Sequence, residues 1–393
     1  MKRVGNLYSS VYDMKKINAM CDKVCSKVRN KDKVEAFMLY KSEHIVNIYH
    51  KLKEKKINAS SYHIFFITDP KCRLIMAQNI EDKIINHLVA DTFLVDVFDN
   101  TFNESVCATR VGKGTLYGIN LLKKYINIMK KNHDNFYYLQ IDIKKYFYSI
   151  DHDILKKTIR KKIKDKDVLM ILDEIIVSTD SKYINKKIEL LKENRIKFLE
   201  KYSFKKEAID EVKAIPFYEK GMGCSIGNQT SQIFGIIYLN EFNHFLKEKL
   251  KLKYVVNYMD DFIILHENKN YLKWCLTKIE VFLKNELKLE LNVKKTKIHS
   301  IHNVGYRFIL DNYKLIVRVG KRGRRNFRKK LKEIDLLEEN NLIRKDEVIK
   351  NLAGYKGMFY HSSSFFLYQK EIDKRSILSP NKKSITGIEN SKY

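Results

Sequence analysis

The sequence predicts an α+β fold, a small antiparallel sheet backed by amphipathic helices. Three observations predict it. Apolar runs of strand length, Tyr254 to Val256 and Phe262 to Leu265, flank Tyr258-Met259-Asp260-Asp261, so the stretch reads as a hairpin with two carboxylates at its turn. Tyr137 to Ile141 reads as a separate strand that delivers Asp142. Ile80 to Phe93, Asp153 to Ser178, Ser231 to Leu250 and Leu272 to Leu287 carry apolar residues at helical spacing.

The remaining elements follow in chain order. Residues 1–60 are Lys-rich and read as helices, with Ala36, Leu39, Tyr40 and Ile45 at loosely helical spacing. Tyr62 to Thr68 reads as a strand, Asp69-Pro70-Lys71 as a turn and Arg73 to Met76 as the return strand. Residues 180–213 are highly charged, with Leu190, Leu191, Ile196 and Phe198 as sparse apolar anchors, and read as a solvated helical insertion. From Lys314 a dense basic run, including Arg318, Lys321, Arg322, Arg324, Arg325 and Arg328, feeds a helix with Phe327, Leu331 and Ile334 on one face. The last residues, from about Lys374, are polar without periodicity and are expected to be disordered.

Composition narrows the function. The chain has 76 Lys and Arg against 47 Asp and Glu, a formal charge of +29, which calls for a polyanionic partner. No apolar run approaches the roughly 18 residues of a membrane span, and Met1 to Gly5 lacks the apolar core of a secretory signal. Nucleic acid is therefore expected in preference to a membrane. The six cysteines are scattered without a CxxC pair, as in a reduced intracellular protein, and no zinc site is expected.

The chemistry starts from the Asp pair. Adjacent ionised carboxylates at a turn repel each other, and a bound divalent cation removes the conflict. Nucleotide polymerisation uses two metal ions about 4 Å apart, held by carboxylates from different strands. Asp142, at a strand end more than a hundred residues before Asp260 and Asp261, is the second supplier expected. Taken alone, Asp142 reads as a helix cap or turn residue; beside the Asp pair it reads as a ligand.

Over roughly residues 60–370 the chain resembles reverse transcriptases, through seven blocks in the family's order. These are Asp69 to Ile75 with Glu81 to Ile85, Gly112-Lys113-Gly114-Thr115, Asp142 to Phe147, Gly227 to Gln232, Tyr258 to Asp261, Leu291 to Lys297, and Gly305-Tyr306. The resemblance implies a right-hand polymerase with fingers at 61–135, a palm at 136–310 interrupted by the insertion at 180–218, and a helical thumb at 311–374. A helical extension, 1–60, precedes them and a disordered tail, 375–393, follows. It implies metal binding by Asp142, Ile143, Asp260 and Asp261, with two magnesium ions or manganese in their place. Phe147 matches the steric gate that selects deoxynucleotides, and Arg73 the fingers residue that grips the triphosphate, for which a guanidinium is suited. Ile226, Gly227 and Gln232 fall in the turn that contacts dNTP and template. Lys294 or Lys295 would neutralise the leaving pyrophosphate; an ordinary solvated lysine is the alternative for either. Lys113, Gly305, Tyr306 and the basic run from Arg318 to Arg328 would track template and primer. The implied partners are an RNA template, a DNA or RNA primer and dNTPs, with no membrane.

The stretch Ser225-Ile226-Gly227-Asn228-Gln229-Thr230-Ser231-Gln232 sharpens the resemblance. An aliphatic residue stands where Gln is usual, and Ser-Gln replaces Ser-Pro, as in diversity-generating retroelement enzymes. That resemblance implies misincorporation opposite template adenine, a small basic accessory protein and a cytoplasmic, bacterial or phage-encoded enzyme. The long charged insertion, Met259, and Asn303-Val304 before Gly305-Tyr306 depart from that group. Phage-defence or other lone bacterial enzymes and group II intron-like enzymes remain alternatives, although no HNH-like nuclease or large maturase domain is expected after the thumb. A catalytically dead nucleic-acid-binding scaffold is the alternative of another class; three crowded carboxylates speak against it.

Overall fold

The computed structural model describes residues 3–28, 30–57, 59–68, 72–180, 182–201, 206–300, 307–311, 314–360 and 364–375. The chain divides into two compact units, residues 1–122 with 139–298, and residues 123–138 with 299–393.

The first unit contains most of the sheet that the sequence predicts. Strands β1 (His63–Ile67) and β2 (Arg73–Ala77) form an antiparallel hairpin with Ile64 opposite Met76. The turn expected at Asp69 to Lys71 lies outside the described residues. Four further strands, β3 (Tyr137–Asp142), β4 (Tyr254–Tyr258), β5 (Asp261–His266) and β6 (Lys297–Ser300), form one sheet in the order β4-β5-β3-β6. Because β5 lies between β4 and β3, the strand that starts at Asp261 neighbours the strand that ends at Asp142. Phe262 and Ile264 of β5 are buried, and Phe262 packs edge-on against Phe242, centroids 5.0 Å apart. The Gln229–Tyr238 helix, buried along most of its length, supplies much of this core.

Some helices differ from their expected form. The 1–60 region holds helices Met14–Lys27, Lys31–Leu39 and Lys41–Lys53. Ala36, Leu39 and Tyr40 are exposed; the second and third helices bury Phe37, Ile48 and Leu52, and the first buries Ile17, Met20, Cys21, Val24 and Cys25. The spacing gave helices there without fixing which stripe faces inward, because apolar residues occur on more than one side. The helix from Ile80 ends at Val89 and continues as a π-turn, Ala90–Val95, that keeps Phe93 and Leu94 buried. Asp153 to Ser178 is two helices, His152–Arg160 and Lys166–Ile176, the second capped by Asp165.

The charged insertion is helical, as Lys182–Lys201 and Lys206–Lys213, and it is more than a solvated arm. Ile184 and Ile188 join Tyr62, Ile64, Leu74, Met76, Ile215 and Tyr218 in one buried cluster on the β1–β2 hairpin. Leu190 and Phe198, expected as anchors, are exposed. Lys192 is buried and its ammonium donates to the carbonyls of Ile215 and Lys213, the latter ending a helix. Carbonyls at a helix C-terminus carry partial negative charge, so they hold this buried cation.

In the second unit, β7 (Arg307–Asp311) and β8 (Lys314–Arg318) form a hairpin followed by helices Lys321–Glu339, Lys345–Tyr360 and Phe365–Ile372. Phe327, Leu331 and Ile334 are buried as their spacing predicts, with Val348, Leu352, Phe359 and Tyr368. Arg375 pairs with both carboxylate oxygens of Asp335, at 2.6 and 2.8 Å, and so ties the third helix to the first.

His87 gives the first unit an acid-sensitive point. It is half-buried on the Ile80–Val89 helix, which packs on Met14–Lys27, and burial pushes its pKa down to about 4. Asp91 opposes that shift, and Lys83, Lys23 and Lys27 add to it. The folded state therefore resists protonation that the unfolded state accepts near pH 6.5. This contribution to stability is complete above pH 6.5 and is lost as the pH falls towards 4, about 1–2 kcal/mol after allowance for partial exposure. His87→Gln, compared with wild type by urea denaturation at pH 7.5 and 5.0, is expected to lose less stability on acidification.

Candidate active site

The Asp pair sits at a two-residue turn. Tyr258 pairs with Asp261 as the last rung of the β4–β5 hairpin, leaving Met259 and Asp260 between them. Met259 takes a left-handed backbone, φ 56°, which a non-glycine residue adopts only at a cost of about 1 kcal/mol. Asn257, almost fully buried, donates from its side-chain amide to the Met259 carbonyl at 2.6 Å and fixes the turn. The backbone of Asn257 is bonded in turn to Ser105 and Cys107, both at 2.9 Å. The Gly112–Thr115 block reaches the same hairpin through Thr115 Oγ1, 3.2 Å from the Tyr258 hydroxyl.

Asp142 approaches from β3. Its carbonyl accepts from Asn292 N at 2.8 Å, Ile143 bridges to Leu291, and Lys144 N donates to the Glu290 carbonyl at 2.9 Å. The segment after Leu287 is thereby held along Asp142 to Lys144, and it brings Lys295 onto the Asp142 carboxylate as an ion pair. Sequence left Lys294 and Lys295 equivalent; both are exposed, and of the two Lys295 makes this contact.

The three carboxylates influence one another. Burial pushes the Asp260 pKa up to about 6, and Asp261 and then Asp142 add to it, while Lys295 opposes. Asp261 is also raised, by burial and then by Asp142, with Lys295 and Arg73 opposing. Arg73 of β2 thus lies within electrostatic reach of Asp261. Among the described residues no three His, Cys, Asp or Glu side chains converge closely enough to hold one ion. The expected cage of Asp142, Ile143, Asp260 and Asp261 is therefore a neighbourhood of carboxylates, with Lys295 neutralising Asp142. The donor set nonetheless fits a hard divalent cation, since crowded carboxylates raise the pKa values of Asp260 and Asp261 and a cation would relieve that repulsion.

Arg73 and Ile226 line one cavity of about 280 Å³ with Cys72, Tyr148 and Glu211. Glu211 comes from the charged insertion and accepts from Cys72 N at 3.1 Å. The Ile226 carbonyl accepts from Met76 N at 2.8 Å, which fastens this turn to β2. Gly227 has φ +132°, and a Cβ there would lie 2.9 Å from the Met76 carbonyl oxygen, so the close approach needs glycine. Behind the turn, buried Asn228 donates to Ser225 Oγ at 2.8 Å and to the Tyr62 hydroxyl at 3.3 Å. Asn86 binds both Thr230 Oγ1, at 2.9 Å, and Thr230 N, at 3.1 Å, and so satisfies an N–H that the first helical turn leaves open. Gln232 is half-buried on that helix.

Phe147 lies in the short turn after Asp142, half-buried, with its carbonyl accepting from Cys224 N at 2.7 Å. A Cβ at Gly235 would stand 3.5 Å from the Phe147 ring and 3.3 Å from Tyr146, so this glycine sets how deeply both rings sit.

The other expected residues are more scattered. Lys113 donates to the Glu104 carbonyl at 3.3 Å and stands 4.9 Å from the Tyr117 ring centre. Arg318 ends β8, and Lys321 and Arg322 open the following helix. Arg325 is exposed, Arg328 lies 3.8 Å from Glu371, and Arg324 Nε is buried without a partner among the described residues. Gly305 and Tyr306 lie outside the described residues. Tyr62, Asn86, Asn228, Asn257 and Glu211 were missed as positioning residues. Only Asn86 carried a signal, as a polar residue within the apolar stripe Ile84, Ile85, Leu88 and Val89.

Carboxylates at the ends of neighbouring strands, with a guanidinium in electrostatic reach, are the arrangement expected of a polymerase palm. The family of reverse transcriptases (RNA-dependent DNA polymerases) matches residues 53–309. The chain therefore belongs to that family, an enzyme class of nucleotidyltransferases with the right-hand fold. No curated protein matches. Among solved structures, the chain is similar to the telomerase of Candida tropicalis in complex with the TWJ fragment of telomeric RNA, at 14% identity and TM-score 0.44, covering 86% of this chain and 59% of that one. The apo telomerase truncated from its C-terminal domain gives 14% identity and TM-score 0.41, over 67% of this chain and 54% of that one. The chain thus spans a little over half the length of these structures. Among the described residues no helix is long and apolar enough to cross a membrane.

Proposed function

We propose that the chain is an RNA-directed DNA polymerase that extends a primer on an RNA template. The observation that carries this reading is that Asp142 lies within electrostatic reach of Asp260 and Asp261, with Arg73 in reach of Asp261. Divalent cations, magnesium or manganese, would be held by Asp142, Asp260, Asp261 and the Ile143 carbonyl, and when bound they activate the primer 3′-hydroxyl and neutralise the leaving pyrophosphate. Arg73 grips the triphosphate, Lys295 leaves Asp142 to neutralise pyrophosphate, and Phe147 meets the 2′ position of the sugar. Ile226, Gly227 and Gln232 contact the dNTP, and Lys113, Gly305, Tyr306 and the basic residues from Arg318 to Arg328 contact template and primer. Purified chain given an RNA template, an annealed DNA primer, dNTPs and magnesium or manganese is expected to lengthen the primer. No extension under any metal would sink the reading.

The finer reading is error-prone copying in a diversity-generating retroelement, with a small basic accessory protein. It is supported by Ile226, whose apolar side chain shares the Arg73 cavity where a Gln would offer a polar grip. Sequenced cDNA is expected to carry errors concentrated opposite adenine, and Ile226→Gln to reduce them severalfold. An unchanged error spectrum would count against that role and favour a phage-defence or intron-like enzyme.

A further inference from the structure

A second cavity in the first unit, of about 870 Å³, shares no lining residue with the Arg73–Ile226 cavity. Its size falls in the range of small-molecule sites. The Lys31–Leu39 and Lys41–Lys53 helices form one wall, and β1 with the residues after β2 forms another. Phe37 and His44, both lining it, are stacked with ring centres 4.1 Å apart and planes 6° apart. Phe65 of β1 adds a third ring. Gln78 also lines the cavity, and its carbonyl oxygen Oε1 is buried with no hydrogen-bond partner among the described residues. A buried, unpaired acceptor is costly and invites a donor.

The charge of the lining is one-sided. Lys27, Lys33 and Lys83 contribute cations. The carboxylate in the lining, Glu81, is already engaged by His44 Nδ1 and by Lys51 Nζ, both at 2.6 Å. Flat rings, an unpaired carbonyl and surplus ammonium groups together suit a ligand with a planar face, an N–H donor at its edge and a negative charge.

We propose that this cavity binds one nucleotide, its base against the aromatic rings, its exocyclic amino group donating to Gln78 Oε1, and its phosphate among Lys27, Lys33 and Lys83. Stacking supplies about 1–3 kcal/mol per base without selecting a sequence. Gln78 adds selectivity, because adenine and cytosine present an amino donor there and uracil does not. The inference rests on the polymerase reading only for the source of the ligand, a single strand entering the enzyme or a free nucleotide.

Photocrosslinking of the full chain tests it, with a short single-stranded RNA carrying one azidoadenosine, the same RNA carrying azidouridine, and free azido-AMP. Crosslinks are expected in the peptides containing Phe37, His44 and Phe65. Gln78→Leu is expected to cut the azidoadenosine yield at least threefold and leave the azidouridine yield unchanged. The exposed Lys33→Glu, which does not disturb packing, is expected to cut both. Labelling by the oligonucleotide alone assigns the site to a strand, and labelling by azido-AMP alone assigns it to a free nucleotide. The inference is overturned if these peptides are unlabelled by every probe, or if neither substitution changes the yields. Primer extension on the same preparations separates the two readings: labelling without DNA synthesis upholds the cavity and sinks the polymerase, and synthesis without labelling does the reverse.

Discussion

Asp260→Asn is expected to abolish primer extension, by roughly a thousandfold or more, equivalent to about 4 kcal/mol of transition-state stabilisation. Asp260 stands at the turn where burial and two neighbouring carboxylates crowd negative charge. The amide keeps the shape of the side chain and removes the charge that would hold a cation. The same substitution is expected to leave the fold intact without metal, since it relieves a repulsion. Magnesium or manganese should raise the Tm of wild type through binding linkage and change that of Asp260→Asn much less. A variant that still makes DNA, or that responds to metal as wild type does, would remove Asp260 from the site. A wild type indifferent to both ions would instead favour a nucleic-acid-binding scaffold.

Phe147→Ala is expected to admit ribonucleotides, raising their incorporation relative to deoxynucleotides on the order of a hundredfold. The ring is held from behind by the turn after Asp142 and by the close approach to Gly235, so it has little room to withdraw from a 2′-hydroxyl. Removing a half-buried ring costs about 2 kcal/mol of stability, so Phe147→Val is the companion variant that retains more of the packing. Single-nucleotide kinetics with dNTP and rNTP on one primer–template decide the matter. Equal selectivity in wild type and both variants would show that the sugar is read elsewhere.

Local chemistry made much of the fold legible in the sequence. Alternation and turn residues gave the hairpin at 254–266, the strand that ends at Asp142 and the β1–β2 pair, because strand pattern and turn position follow from neighbouring residues. Phe327, Leu331 and Ile334 were legible for the same reason, lying on one face of a single helix. Burial in the charged insertion was not. Ile184 and Ile188 look no more apolar in sequence than Leu190 and Phe198, and the β1–β2 hairpin, more than a hundred residues away, decides which side is covered.

The candidate site divides along the same line. The sequence by itself determined the chemistry on offer: an Asp pair at a hairpin turn, an Asp at a strand end, an arginine before an apolar strand and a chain of +29 charge. These depend on residue type and short spacing. Only the tertiary structure decided which of them meet. Placing β5 beside β3 brings Asp261 within electrostatic reach of Asp142, and the segment after Leu287 selects Lys295 over Lys294. The insertion delivers Glu211 to the Arg73 cavity, and the bonds of Asn86 to Thr230 and of Asn228 to Tyr62 fix the Ile226 turn. Each of these contacts joins residues far apart in the chain or settles between near-equivalent neighbours. Their free energy comes from desolvation and hydrogen bonds that exist only once the whole unit has packed.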